Sequence, residues 1–200
     1  MRPHRLTARA HAALLGFLVA LGLPGTAAAD GEAVREYVDE VTAVSITVTT
    51  DSLVFARERT DLAANARDYV TLAPLEINRT GRRAYFWSGY VWSTIDRRGR
   101  GPVIAAGEQL VLIADGRPMP LRQASASLHD QGVGQPPTPN PVRTARPVLF
   151  EARPEEIAYV AHARELRVVL VSESASEDFT LWKDARRGLL DFVERLRLER

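Results

Sequence analysis

The chain has 200 residues, with 26 basic against 25 acidic side chains, 46% hydrophobic residues and no cysteine. It is too apolar and too charge-balanced to stay disordered, and too neutral to hold nucleic acid by bulk electrostatics. Without cysteine it is neither a disulfide scaffold, a thiol enzyme, a zinc ribbon nor an iron–sulfur protein.

Residues 1–29 read as a cleaved secretory leader. Arg2, Arg5 and Arg9 form a positive stretch, and Ala12 to Leu23 is an apolar run of 12 residues. Pro24 and Gly25 break it, and Ala27 and Ala29 fit an A-x-A cleavage site. A spanning helix needs about 20 apolar residues, so this run is too short to be an anchor. No twin arginine precedes it, so the expected route is Sec-type. The remaining stretch, 30–200, is the length of one domain. The expectation is a single globular domain, periplasmic or secreted, with no membrane span after cleavage and no nucleic-acid partner.

Val34, Tyr37, Val38 and Val41 recur at helical spacing and predict a short helix. Val44, Ile46 and Val48 alternate, as do Leu53 and Phe55 beyond the Asp51-Ser52 turn, and both runs read as strands. Asp61 to Arg67 is Ala-rich and reads as one or two helical turns. Tyr69 to Asn78 reads as a strand in which Pro74 signals an edge or a bulge. Asn78 to Gly81 is a hairpin turn, followed by a long aromatic strand from Arg82 to about Asp96.

Residues 97–102 form an exposed basic loop. Gln109 to Ala114 is a strand, Asp115-Gly116 is a strong two-residue hairpin signal, and Met119 and Leu121 alternate on the return. Residues 131–142, with four prolines and two glycines, form a polyproline-like loop. Pro147 to Ala152 is a strand. Pro154 opens a helix, with Glu155 and Glu156 complementing its positive end, that closes near Arg164. Leu166 to Ser172 and Phe179 to Trp182 are further strands. The chain closes on an amphipathic helix with Ala185, Leu189, Phe192, Val193 and Leu196 on its apolar side. Asp191 and Arg195 form an i,i+4 pair on the other. The expected fold is β-rich α+β. An antiparallel sheet, sandwich-like or half-barrel, is packed by the C-terminal helix.

Few residues in the chain suggest chemistry. Beyond the leader, histidine occurs only at His129 and His162, too few for a metal centre, and no cofactor is expected. Ser127, His129 and Asp130 lie close together, but no G-x-S-x-G elbow presents a serine nucleophile. Glu76, Asp96 and Glu108 are the carboxylates that could serve a hydrolase.

The informative segment is Tyr85-Phe86-Trp87-Ser88-Gly89-Tyr90-Val91-Trp92, which holds five of the chain's fourteen aromatic residues. Alternation puts Tyr85, Trp87, Gly89 and Val91 on one face, and Phe86, Ser88, Tyr90 and Trp92 on the other. Either both faces are buried or one is a platform for a ligand. Gly89 leaves a gap beside Trp87 that a ligand or a neighbouring chain could fill. The candidate binding residues are therefore Tyr85, Trp87 and Gly89, joined by Arg97 and Arg98 of the basic loop as contacts for an anionic partner. Trp182 reads as a core anchor.

The leading expectation is a non-enzymatic binding or accessory module that contacts a protein or an envelope glycan. The alternatives are a carboxylate-dependent envelope hydrolase and a carrier of a small apolar ligand.

Overall fold

Alternating apolar residues and turn-forming pairs build this chain into strands that close on one another. The computed structural model describes residues 32–95, 104 and 107–198. The expected leader and Arg97 and Arg98 of the basic loop lie outside the described residues. So does Asp96.

The strands are β1 (Val34–Asp39), β2 (Val44–Thr49), β3 (Leu53–Glu58), β4 (Arg67–Arg79), β5 (Arg82–Ser93), β6 (Gln109–Ala114), β7 (Arg117–Pro120), β8 (Arg122–Gln123), β9 (Arg146–Ala152), β10 (Leu166–Val171) and β11 (Ser176–Lys183). The helices are α1 (Pro154–His162) and α2 (Arg186–Leu198). Every strand pairing is antiparallel, in the order β7-β6-β10-β11-β3-β4-β5-β9-β8.

The two ends of that order are one stretch of chain. Residues 117–120 pair with β6, Leu121 donates its amide to the Leu110 carbonyl, and Arg122 and Gln123 then pair with β9. By changing partner halfway, this stretch nearly closes the sheet into a barrel. The interior is filled by side chains, as expected for a barrel of this width. Leu53, Phe55, Val70, Leu72, Trp87, Leu112, Val168 and Phe179 all lie in one buried cluster.

The hairpin signals hold. Thr80 and Gly81 turn between β4 and β5, and Asp115 and Gly116 between β6 and β7, all four with positive φ. That is the pattern of a two-residue turn matched to strand twist.

Both helices leave the barrel at one end, where β9 and β11 finish and β10 begins. They pack on each other, and α2 also touches β1, β2 and β4. Ile157 and Val160 of α1, with Leu189, Phe192, Val193 and Leu196 of α2, complete the inner cluster. The C-terminal amphipathic helix thus packs the sheet as its sequence pattern implies. Arg195 reaches Glu36 and Glu32 at β1.

A second apolar cluster lies outside the barrel. Ile46, Leu75, Ile77 and Phe86 are covered there by Val133, Leu128 and Leu149. The proline-rich segment is therefore a strap laid over the sheet. It is tied down by Gly134 N–H to Asp39 Oδ2 (2.8 Å), Thr42 Oγ1 to the Gly132 carbonyl (2.6 Å) and Arg35 to the Pro137 carbonyl (2.7 Å).

Three local expectations are corrected. Residues 34–39 are a strand, paired throughout with β2. The helical spacing is coincidental, since Val38 and Val41 are 56% and 94% exposed. Asp39 accepts the amides of Val41 and Thr42 to form the turn. Residues 61–67 form a turn closed by Arg59 N–H to the Ala66 carbonyl, followed by the start of β4, with no helix. Pro74 is on an inner strand. β4 pairs with β3 up to Leu72 and with β2 from Leu75, so Pro74 falls in the interval where no partner asks for an N–H.

Candidate functional site

Side-chain parity on β5 decides which aromatic residues are available. Trp87 is 2% exposed in the inner cluster, and Tyr85 is half-buried against the same cluster. The face proposed for binding from sequence is thus the core side. Gly89 lies on it too, and its gap is filled by the neighbouring strand. An added Cβ would stand 1.8 Å from the Thr71 carbonyl oxygen. The Tyr90 amide bonds Thr71 Oγ1 at 2.8 Å, so a side chain replaces a ladder contact at this point.

The opposite face of β5 is covered in part. Phe86 lies under the strap, and the Tyr90 hydroxyl donates to the Thr138 carbonyl (3.0 Å). Burial pushes the Tyr90 phenol above its ordinary pKa. Trp92, at the end of that row, remains half-buried. It stacks on Tyr69 of β4, its ladder partner, with centroids 5.0 Å apart and planes 12° from parallel.

Trp182 completes the group at right angles, 6.3 Å from Tyr69 with an interplanar angle of 84°. Its placement comes from a bulge in β11. Leu181 pairs with Phe55, which faces inward, and Lys183 pairs with Val54, so Trp182 is an extra residue in the ladder. Bulges of this kind re-aim side chains. Here Trp182 and Lys183 both face outward. Trp182 is 59% exposed, so the anchor role expected of it is overturned. The Arg67 guanidinium lies over its ring at 5.0 Å and also pairs with Glu58.

Together these residues line a groove of about 610 Å³. Tyr69 and Trp92, as a stacked pair, line it with Thr71 and Trp182. Pro139 and Pro141 of the strap also line it. Thr50, Ser52, Asp51 and Lys183 add polar groups, the last two joined by a 2.7 Å ion pair. The volume falls within the usual range for small-ligand sites, about 300–1,000 Å³. Asp51 is the one carboxylate among the groove's described lining residues, so the paired carboxylates of a glycoside hydrolase are not assembled here.

The sequence-level candidates for chemistry are dispersed. Glu76 is 3% exposed on β4, beside Arg83 at 3.5 Å, while Glu108 precedes β6 at the other end of the barrel. Ser127 and Asp130 bond each other within an exposed turn. His162 Nδ1 contacts the Ala158 carbonyl at 2.8 Å. Among the described residues, no group of three or more histidine, aspartate or glutamate side chains is placed to hold a metal.

An ionic cluster that sequence reasoning missed lies at the barrel end away from the helices. Asp68 is fully buried and accepts from Arg57 (2.6 Å) and Arg59 (2.8 Å), and Arg57 pairs in turn with Glu177. Arg57 also lies 4.7 Å over the Phe179 ring. Burial pushes the Asp68 carboxyl up. The bonds from Arg57, Arg59 and Ser93 outweigh it and hold the pKa below the ordinary value. This cluster holds charge inside an apolar barrel and joins β3, β4 and β11. Comparison with protein-family models, with curated proteins and with solved structures finds no match.

Proposed function

We propose that the protein is a non-enzymatic binding module of the cell envelope or exterior. Residues 1–29 export it, and its outer aromatic groove holds a glycan chain. The observation that carries this reading is the L-shaped arrangement of Tyr69, Trp92 and Trp182 beside Thr50, Asp51 and Lys183. A sugar ring has apolar C–H faces and a hydroxyl edge. Flat aromatic rings suit the faces, and paired polar groups on the rim suit the hydroxyls. Asp51, the one carboxylate among the groove's described lining residues, is paired with Lys183, which favours binding over hydrolysis.

The test is a tryptophan-fluorescence titration of residues 30–200 with soluble oligomers of N-acetylglucosamine and of glucose. The expected result is a saturable change with one class that is lost in Trp182→Ala and weakened at least tenfold in Trp92→Ala. No response to either class, or equal binding by the Trp182 variant, would overturn the reading.

A further inference from the structure

The rings of the aromatic groove define two planes. Tyr69 and Trp92 share one of them, 12° from parallel, and Trp182 stands at 84° to Tyr69. The three rings therefore make a corner and not a platform. Arg67 lies over one face of Trp182 and does not line the groove, so the other face looks into it.

The sheet builds this corner. Thr180, Ala56, Tyr69 and Trp92 are successive ladder partners across β11, β3, β4 and β5. β11 and β4 are thus two strand spacings, about 10 Å, apart. The ring centres of Trp182 and Tyr69 are only 6.3 Å apart, so Trp182 leans across β3. Phe55 points inward, which puts Ala56 on the outer face, and Ala56 is still only 6% exposed. Its methyl group leaves room for the indole to pass, and the bulge in β11 supplies the residue that does so.

The linkages of a glycan set its shape. Chains joined as in cellulose or chitin are extended ribbons whose ring faces stay parallel, so such a chain stacks along one plane only. Chains joined as in starch or laminarin turn at each link and present successive ring faces to both planes. We infer, resting on the glycan reading above, that the groove selects a coiled chain over a flat one. One sugar ring lies on the free face of Trp182 and a neighbouring ring lies against the Tyr69–Trp92 pair. Asp51 and Lys183 meet hydroxyls at the rim.

The test titrates residues 30–200 by calorimetry with glucose hexasaccharides that differ only in linkage, and with chitohexaose beside them. Maltohexaose or laminarihexaose binds at least about tenfold more tightly than cellohexaose and chitohexaose. The tighter of the two coiled chains identifies the linkage. Ala56→Leu, which crowds the path of Trp182 across β3, cuts the preference to less than about threefold. The comparison on wild type decides alone if Ala56→Leu does not fold. Cellohexaose or chitohexaose binding as tightly as the coiled chains overturns the inference and leaves the glycan reading standing. Full preference in a folded Ala56→Leu also overturns the inference, and binding of none of the four overturns both.

Discussion

Two glycines offer the same chemical change with opposite expected sign. At Gly89, an added methyl group would meet the Thr71 carbonyl oxygen at 1.8 Å and its carbon at 2.6 Å. Both atoms belong to the backbone of a strand paired with β5 along most of its length, so neither yields as a flexible side chain would. Overpacking costs about 1–3 kcal/mol where side chains can adjust, and a clash with backbone belongs at or above the top of that range. We therefore expect Gly89→Ala to lose about 3 kcal/mol or more, a large share of a domain stability of roughly 5–15 kcal/mol.

At Gly188, in the first turn of α2, the nearest atoms to an added methyl are the Ala33 carbonyl oxygen at 3.5 Å and Thr49 at 3.7 Å, which is ordinary contact. Alanine there lowers the entropy of the unfolded chain, and Gly188→Ala should gain about 0.4–1 kcal/mol. Urea melts of both variants with a common slope read the two effects directly. A Gly89→Ala variant within about 0.5 kcal/mol of wild type would refute the close approach of β4 to β5. A destabilised Gly188→Ala would refute the packing drawn for the start of α2.

Phe192 is fully buried in the inner cluster, so Phe192→Ala should cost about 3–5 kcal/mol in the same melts. A wild-type melt would detach α2 from the core. Asp68 has a folded-state pKa below its unfolded one. Its contribution is therefore present above about pH 4 and lost as pH falls through the lower folded value. Asp68→Asn should be less stable than wild type at pH 7, and the gap should narrow on acidification below pH 4. A gap that stays constant from pH 7 to pH 2 would show that the carboxylate's charge contributes nothing.

Local chemistry made most elements legible. Two-residue turns at Thr80-Gly81 and Asp115-Gly116 need positive φ, and the sequence places glycine in each. Strict alternation marked β2, and the apolar stripe of α2 marked a helix that must dock. Closure of the sheet was not legible, because the partner change at Leu121 depends on strands distant in sequence. β1 was misread because four apolar residues fit a helical period and only pairing with β2 decides between the two.

The candidate site shows the same division. The segment 85–92 announced two aromatic faces, and alternation sorted them correctly. Which face met the core depended on Phe150 and Phe179, far along the chain. Trp182 was read as an anchor because nothing local reveals that Lys183, rather than Trp182, takes the ladder place opposite Val54.

The join between β3 and β11 sets the order in which the chain can fold. Ala56 and Thr180 are ladder partners although 124 residues separate them. A growing chain can form the β3–β4–β5 meander early, from hairpins. The free edge of β3 must then wait for nearly the whole sequence to appear. During that interval Leu53, Phe55, Val70 and Trp87 line a half-formed trough open to water, next to an unpaired strand edge. Pairings so distant are slow to form, and exposed edges of this kind recruit other chains. Aggregation during production should therefore depend on the C-terminal third. A chain cut before residue 176 would keep most of its strands and still lack the one that protects β3.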